Sequence, residues 1–290
     1  MRIVVAGSAG QLGSTVTARL SPRFAVSALT RRDLDIADAA AVERVVASLA
    51  PDVVINCAAY NDVDGAEEDP QTALQVNAMA VLHLARSVAA RGALFVHYST
   101  DFVFDGRASE PYTETAPTRP LSAYGLSKLL GEWLAREVPE AYVLRVESLF
   151  GGEPAKSSID RILDGLRRGV PVRVFRDRVV TPSYVHDVAA ATETILDRRP
   201  AAGVYHCVNS GATTWLELAH AAASLMASRT EIVPVSVHDV QLKAARPQYC
   251  ALSNEKLRQA GIEMPSWRDA LARHVRASSS AGVGLETGRA

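Results

Sequence analysis

The chain is poor in cysteine, and what it has is dispersed. Cys57, Cys207 and Cys250 are the only three, with no C-x-x-C spacing among them. An odd number of scattered thiols excludes a disulfide framework and implies reduced, buried side chains in a cytosolic protein. Charge imbalance is missing as well: 31 basic residues against 32 acidic ones leave a formal charge of −1. That balance offers nothing to nucleic acid or to an anionic membrane surface. No apolar run approaches the roughly 18 residues of a membrane span. The first residues, Met1-Arg2-Ile3-Val4-Val5-Ala6-Gly7, enter a strand pattern directly, so no signal peptide is expected. The seven histidines do not cluster with Cys or Glu, and no catalytic metal is expected. No internal repeat is present.

What remains is an ordinary globular composition, 48% hydrophobic and 22% charged, in a length that suits one large α/β unit or two lobes. Apolar runs at Ile3 to Ala6, Phe24 to Leu29, Asp52 to Cys57, Leu94 to Tyr98 and Tyr142 to Val146 read as buried strands. Between them Ser14 to Leu20, Asp38 to Leu49 and Gln71 to Ala90 read as helices. Strict alternation of the two predicts an α/β fold with a doubly wound parallel sheet.

The first turn of that pattern, Gly7-Ser8-Ala9-Gly10-Gln11-Leu12-Gly13, lies between a strand and a helix. Glycines there permit a tight turn and let the backbone approach a pyrophosphate at a helix N-terminus, which is a dinucleotide fingerprint. After the second strand comes Thr30-Arg31-Arg32, where NAD sites carry an acid. Two guanidinium groups favour a 2′-phosphate and so NADPH, with NADH still possible. Asp35 and Ile36 are placed for the adenine, one for its amine and one for its face. Ala58 and Ala59, with Tyr60, leave the third strand at the edge where ligands bind, and the small side chains let a cofactor lie close. The acidic run Asp64, Glu67, Glu68, Asp69 reads as a solvated helix start, and Asn77 as a mid-helix side chain bonded to a local backbone group.

Tyr124 and Lys128 stand four residues apart in a helix that starts after Pro120, so both project from one face. Leu126, Leu129, Leu130, Trp133 and Leu134 form the apolar stripe of that helix. A fixed ammonium lowers the pKa of a neighbouring phenol, making Tyr124 a candidate general acid or base. Thr100, 24 residues upstream at the end of a strand, can reach the same bound carbonyl.

With these residues in hand the sequence resembles the extended short-chain dehydrogenase/reductase family, and within it the dTDP-4-dehydrorhamnose reductases. The likeness rests on Gly7/Gly10/Gly13, Asn56 to Ala59, Tyr124 to Lys128, and above all His97-Tyr98-Ser99-Thr100-Asp101-Phe102-Val103-Phe104-Asp105-Gly106, similar to the family's H-x-S-T-D-Y-V-F-x-G. It continues through Gly203-Val204-Tyr205-His206 and Arg246-Pro247 to Trp267, about 270 of 290 residues. The resemblance implies NADPH-dependent reduction of the 4-keto group of a nucleotide-linked 4-keto-6-deoxy sugar. In that reading Tyr124 donates the proton, Thr100 holds the oxygen, Lys128 tunes the phenol and bonds the nicotinamide ribose, and Asp101 and Arg246 lie on the substrate side. It also implies a cytoplasmic enzyme, as a homodimer, with a smaller C-terminal substrate lobe. The dinucleotide-binding domain would span 1–150 with returning pieces near 184–210, the lobe 151–183 and 211–276, and a disordered tail Ala277 to Ala290.

One departure concerns the sugar. Where those reductases read L-R-T-S-W-V-Y-G, this chain has Leu144-Arg145-Val146-Glu147-Ser148-Leu149-Phe150-Gly151, with Ser148 in place of the aromatic that lines the pocket. Repacking by Phe150 is one reading and an altered sugar choice the other. Two rivals accompany the reductase. A redox-neutral epimerase or dehydratase would be expected to carry a second acid where Phe102 stands. A regulatory subunit like that of methionine adenosyltransferase would bind nucleotide with little turnover.

Overall fold

The structure is a computed structural model and describes residues 1–283. Its centre is a six-stranded sheet made of β1 (Arg2–Ala6), β2 (Ala25–Leu29), β3 (Val53–Asn56), β4 (Leu94–Thr100), β5 (Ala141–Val146) and the strand Gly203–His206. The order is Gly203–His206, β5, β4, β3, β1, β2, and every pairing is parallel. Burial on both faces explains the unbroken apolar strands, with Val53, Val54 and Ile55 all closed to solvent. Side chains alternate along β1. Ile3 and Val5 enter the core under helices α1 (Gln11–Leu20) and Val185–Arg198, whereas Val4 and Ala6 enter the core under α2 (Ala39–Leu49) and Ala80–Ala89.

A further apolar cluster forms away from the sheet. Phe150, Ile159, Leu163, Trp215, Leu218 and Leu271 meet there, carried by helices Ser158–Arg168, Trp215–Leu225 and Trp267–Val283. The first two of these start on reciprocal caps, Ser157 with Asp160 and Thr214 with Glu217, which satisfy backbone amides at both ends of each motif.

Three expectations need correction. The long helix expected over Gln71 to Ala90 is interrupted: α-helical Pro70–Leu74 passes through a π-helical turn, Gln75–Met79, before Ala80–Ala89 resumes. The helix Ala123–Ala135 buries Leu129 of the expected stripe but turns Leu126 and Trp133 to solvent, 45% and 55% exposed, and buries Tyr124, Ser127, Lys128, Gly131 and Glu132 as well. Small residues on that face allow a closer approach to the sheet than leucines would. The final helix, Trp267–Val283, runs into the stretch expected to be a tail, as its Ala- and Ser-rich composition permits, and residues 284–290 lie outside the described residues.

Candidate active site

The sheet's strand order reverses between β1 and β3, and ligand sites of open α/β sheets lie at such a crevice. Here the two carboxyl ends meet: Gly7, at φ +77°, lies so near Ala58 that a Cβ would run into its backbone. The adjoining cavity, about 600 Å³, is lined by Gly10 to Gly13, Ala58, Ala59, Thr100, Asp101, Tyr124, Lys128, Ser148 and Arg246. The structure therefore brings together most of the residues singled out from the sequence.

The catalytic helix starts where it does because Ser122 Oγ accepts from the Gly125 amide at 3.1 Å. Tyr124 and Lys128 follow one turn apart, both buried. Lys128 Nζ donates to the Tyr98 carbonyl at 2.7 Å, and burial pushes its pKa down to about 8. Burial and the nearby Asp101 push the Tyr124 phenol up, while a bond to the Thr100 hydroxyl pulls it back. The expectation that Lys128 lowers the phenol pKa is therefore not met in this structure: desolvation is larger, and the ammonium is turned to a carbonyl. A phenol that keeps its proton at neutral pH suits a proton donor.

Asn77, expected to bond a local backbone group, works at longer range. Within the π-helical turn its side chain bonds the backbone of Tyr60 and donates to Ser127 Oγ at 3.0 Å, which in turn donates to the Tyr124 carbonyl at 2.8 Å. Gly131 makes this approach possible, since a Cβ there would collide with the Asn77 carbonyl. A π-turn at such a point is a common functional device.

The cofactor side fits a dinucleotide. Helix α1 begins at Gly10 with no side-chain cap and no acid in its first turn, leaving its amides to the cavity. Both Gly7 and Ser8 amides donate to the Leu29 carbonyl, which sets the Thr30-Arg31-Arg32 turn beside the glycines. Arg31 and Arg32 are exposed at that rim rather than inside the cavity. Ile36 is only 4% exposed and belongs to the core under α2, so it offers no face to an adenine. Asp35 Oδ1 accepts from the Ala37 amide at 3.0 Å, a local turn. Tyr60 holds the loop through Asn77 and does not line the cavity.

On the opposite side, Arg246 pairs with Asp64 at 2.9 Å, and Asp64 also accepts from the Ala244 amide. The acidic run does start a short helix, Gly65–Glu68, with Asp64 at its N-cap, and Asp69 caps the next one; in addition Glu67 accepts from the Ala123 amide and ties this helix to the catalytic one. Ser148 lies on the cavity at φ +45°, whereas Phe150 is buried in the second cluster beside Tyr184 and does not fill the space at Ser148. Lys156, Arg161, Arg178 and Trp215 also line the cavity and escape sequence reading, because they reach it from two loops and from the first turns of helices Ser158–Arg168 and Trp215–Leu225, which only tertiary packing brings to the site. Asp101, on the cavity wall, gathers with the buried Glu147 and Cys250 behind it, and the Arg178 guanidinium supplies positive charge there. Burial raises Asp101 to about 6 and, helped by Asp101, holds Glu147 well above the usual carboxylate range.

A family model described as the RmlD substrate binding domain matches residues 1–280. The chain belongs to that family. It is 37% identical to a dTDP-4-dehydrorhamnose reductase of Burkholderia thailandensis over 296 residues, covering 95% of this chain and 98% of that protein. Among solved structures it is similar to a dTDP-4-dehydrorhamnose reductase of Clostridium acetobutylicum, with TM-score 0.92 at 30% identity over 96% of this chain and 100% of the other. The Bacillus anthracis reductase, solved in complex with NADP, matches with TM-score 0.90 at 30% identity, covering 94% and 98%. Family membership bears out the extended short-chain dehydrogenase/reductase architecture. No helix among the described residues is long and apolar enough to cross a membrane.

Proposed function

We propose that this chain reduces the 4-keto group of a dTDP-linked 4-keto-6-deoxy sugar with NADPH. The observation that carries the reading is the buried Thr100, Tyr124 and Lys128 set, in one cavity with the uncapped, glycine-rich start of α1. Bound NADPH supplies the hydride to the keto carbon. Tyr124 gives its proton to the carbonyl oxygen as negative charge develops there. The Thr100 hydroxyl bonds the same oxygen, where such a bond is worth most. Lys128, anchored by Tyr98, keeps a positive charge beneath the site. The α1 amides take the pyrophosphate, and Arg31 and Arg32 at the rim take the 2′-phosphate.

The domain reading carries over as part of the proposal: 1–150 with pieces near 184–210 holds the cofactor, and 151–183 with 211–276 holds the sugar nucleotide. A homodimer and a cytoplasmic location complete it; sedimentation and cell fractionation measure each. Against a redox-neutral rival stands Phe102, whose ring packs edge-on to Tyr124 at 5.6 Å where a second acid would be needed. Against a non-catalytic regulatory role stands the intact buried set. The test is NADPH oxidation with a panel of nucleotide-linked 4-keto sugars, with product identified by NMR. Turnover confined to dTDP-linked members is expected; no oxidation with any of them overturns the reading.

A further inference from the structure

Behind the catalytic pair lie buried groups that the reduction, as derived above, does not use. Glu147 is 2% exposed. Its Oε2 accepts from the Thr181 amide at 2.7 Å and from the Thr181 hydroxyl, but Oε1 is buried with no partner at all. The ligand atoms of Asp101, Glu147 and Cys250 lie within 4.8 Å of one another. Asp101 Oδ1 accepts from Thr100 Oγ1 at 3.0 Å, and the Thr100 hydroxyl lines the same cavity as the Tyr124 phenol and is near enough to pull its pKa down. Thr100 thus stands between the buried carboxyl pair and the proton donor.

The charges on this line do not cancel if both acids ionise. Among the described residues Arg178 is the cation that acts on both acids; its guanidinium bonds the Pro247 carbonyl and Cys250 Sγ. The other titratable neighbours, Cys250, Tyr249 and Tyr124, are all pushed up by burial and stay neutral. Two carboxylates against one cation in a desolvated site retain a shared proton. A protonated Oε1 also spares the site a buried negative charge on an oxygen that has no hydrogen-bond donor facing it.

We propose that Glu147 and Asp101 store one proton and return it through the Thr100 hydroxyl to the Tyr124 phenolate after each reduction. The inference rests on the reduction proposed above. In the forward step the phenolic O–H breaks and a new O–H forms at the sugar oxygen. The phenolate then takes the Thr100 hydroxyl proton while Thr100 takes one from Asp101, and Glu147 and Asp101 share the charge left behind. Water reaching Asp101, which lines the cavity, restores the store with one solvent proton per turnover. Glu147 touches neither sugar nor cofactor; it acts through Asp101 and Thr100.

Two measurements on the full chain test this. In rapid mixing, Glu147→Gln is expected to oxidise the first equivalent of NADPH at the parental rate, using the proton already on Tyr124. Later turnovers should then run about tenfold slower, with the deficit shrinking as pH is lowered. Parental steady-state rates at every pH, or equal slowing of first and later turnovers, overturn the proposal. The second measurement needs no substrate and survives failure of the reductase reading. The parent should show a protonated carboxyl C=O stretch at neutral pH in the infrared, shifted in heavy water, fading only as the solution is made alkaline and absent from Glu147→Gln. A parent without that band overturns the proposal whatever the variant does.

Discussion

Asn77 grips Tyr60 by the backbone groups on both sides of its Cα: Oδ1 accepts from the Tyr60 amide at 2.8 Å, and Nδ2 donates to the Tyr60 carbonyl at 3.0 Å. The same Nδ2 reaches Ser127, so one buried side chain sets both the loop after β3 and the first turn of the catalytic helix. Asn77→Ala leaves several buried groups unbonded, at about 1–3 kcal/mol for each that water cannot reach. We expect a loss of about 2–4 kcal/mol in urea unfolding at unchanged m-value, with kcat/KM falling as well. A variant of parental stability means that the loop and helix hold each other without it.

Tyr124→Phe keeps the ring packed edge-on to Phe102 and removes only the hydroxyl. NADPH affinity should hold while kcat drops by about 10²–10⁴-fold, the usual worth of a positioned acid. Stopped-flow turnover together with a cofactor titration checks both halves. Near-parental turnover places the acid elsewhere.

Arg31 and Arg32 are free of the cavity and sit at its rim, so they influence affinity rather than chemistry. Replacing both by Ala should weaken NADPH by about 10–100-fold and leave NADH unchanged, since the charge-assisted bonds to a 2′-phosphate are lost but were screened by solvent at this exposed rim. Calorimetric titration with each cofactor reads this directly, and equal affinities in the parent remove the basis for it.

His206 is wholly buried between the Ser253 carbonyl and Arg145, and burial followed by the Arg145 charge lowers its pKa from 6.5 to about 3. The unfolded chain therefore binds more protons between those values. This contribution is fully present above pH 6.5 and is lost as pH falls toward 3, on the order of 4 kcal/mol. His206→Gln should flatten the acid limb of stability measured by urea unfolding at pH 7 and pH 4. Asp101 and Glu147 act with the opposite sign: raised carboxyls stabilise at low pH and lose that contribution as pH rises, for Asp101 from 3.8 to about 6.

Ser148 lines the cavity at the position where the resemblance leads one to expect a Trp, and Phe150 is buried in the second cluster and does not compensate. Ser148→Trp should narrow the range of sugars, shifting kcat/KM between panel members by about 1–3 kcal/mol without altering NADPH binding. An unchanged ranking of the panel shows that the position does not face the sugar.

The parts of this site that are legible in the sequence are local ones. The glycine turn, the Tyr124/Lys128 spacing and the strand-end Thr100 each depend on one element and its neighbour. Ile36 shows the limit: its apolar character is plain, but whether it meets a ligand or the core depends on where α2 packs. The catalytic helix shows another. Its stripe is buried only in part, at Leu129, while Leu126 and Trp133 face solvent; the rest of the buried face forms because Gly131 lets the helix press on the π-helical turn, and that irregularity leaves no trace in periodicity. Glu147 and Arg178 meet only through tertiary packing of short segments, beyond the reach of any window along the chain.

The Asp64–Arg246 pair joins positions 182 apart in the chain. Five of the six sheet strands and the whole Thr100, Tyr124 and Lys128 set are complete by Val146, yet one wall of their cavity arrives a hundred or so residues later. During synthesis, which exposes the N-terminal part first, the nascent chain carries its chemistry before it has anything to enclose a substrate with. Turnover is therefore the last property this chain acquires, and it reports completed folding more faithfully than helix content or sheet formation does.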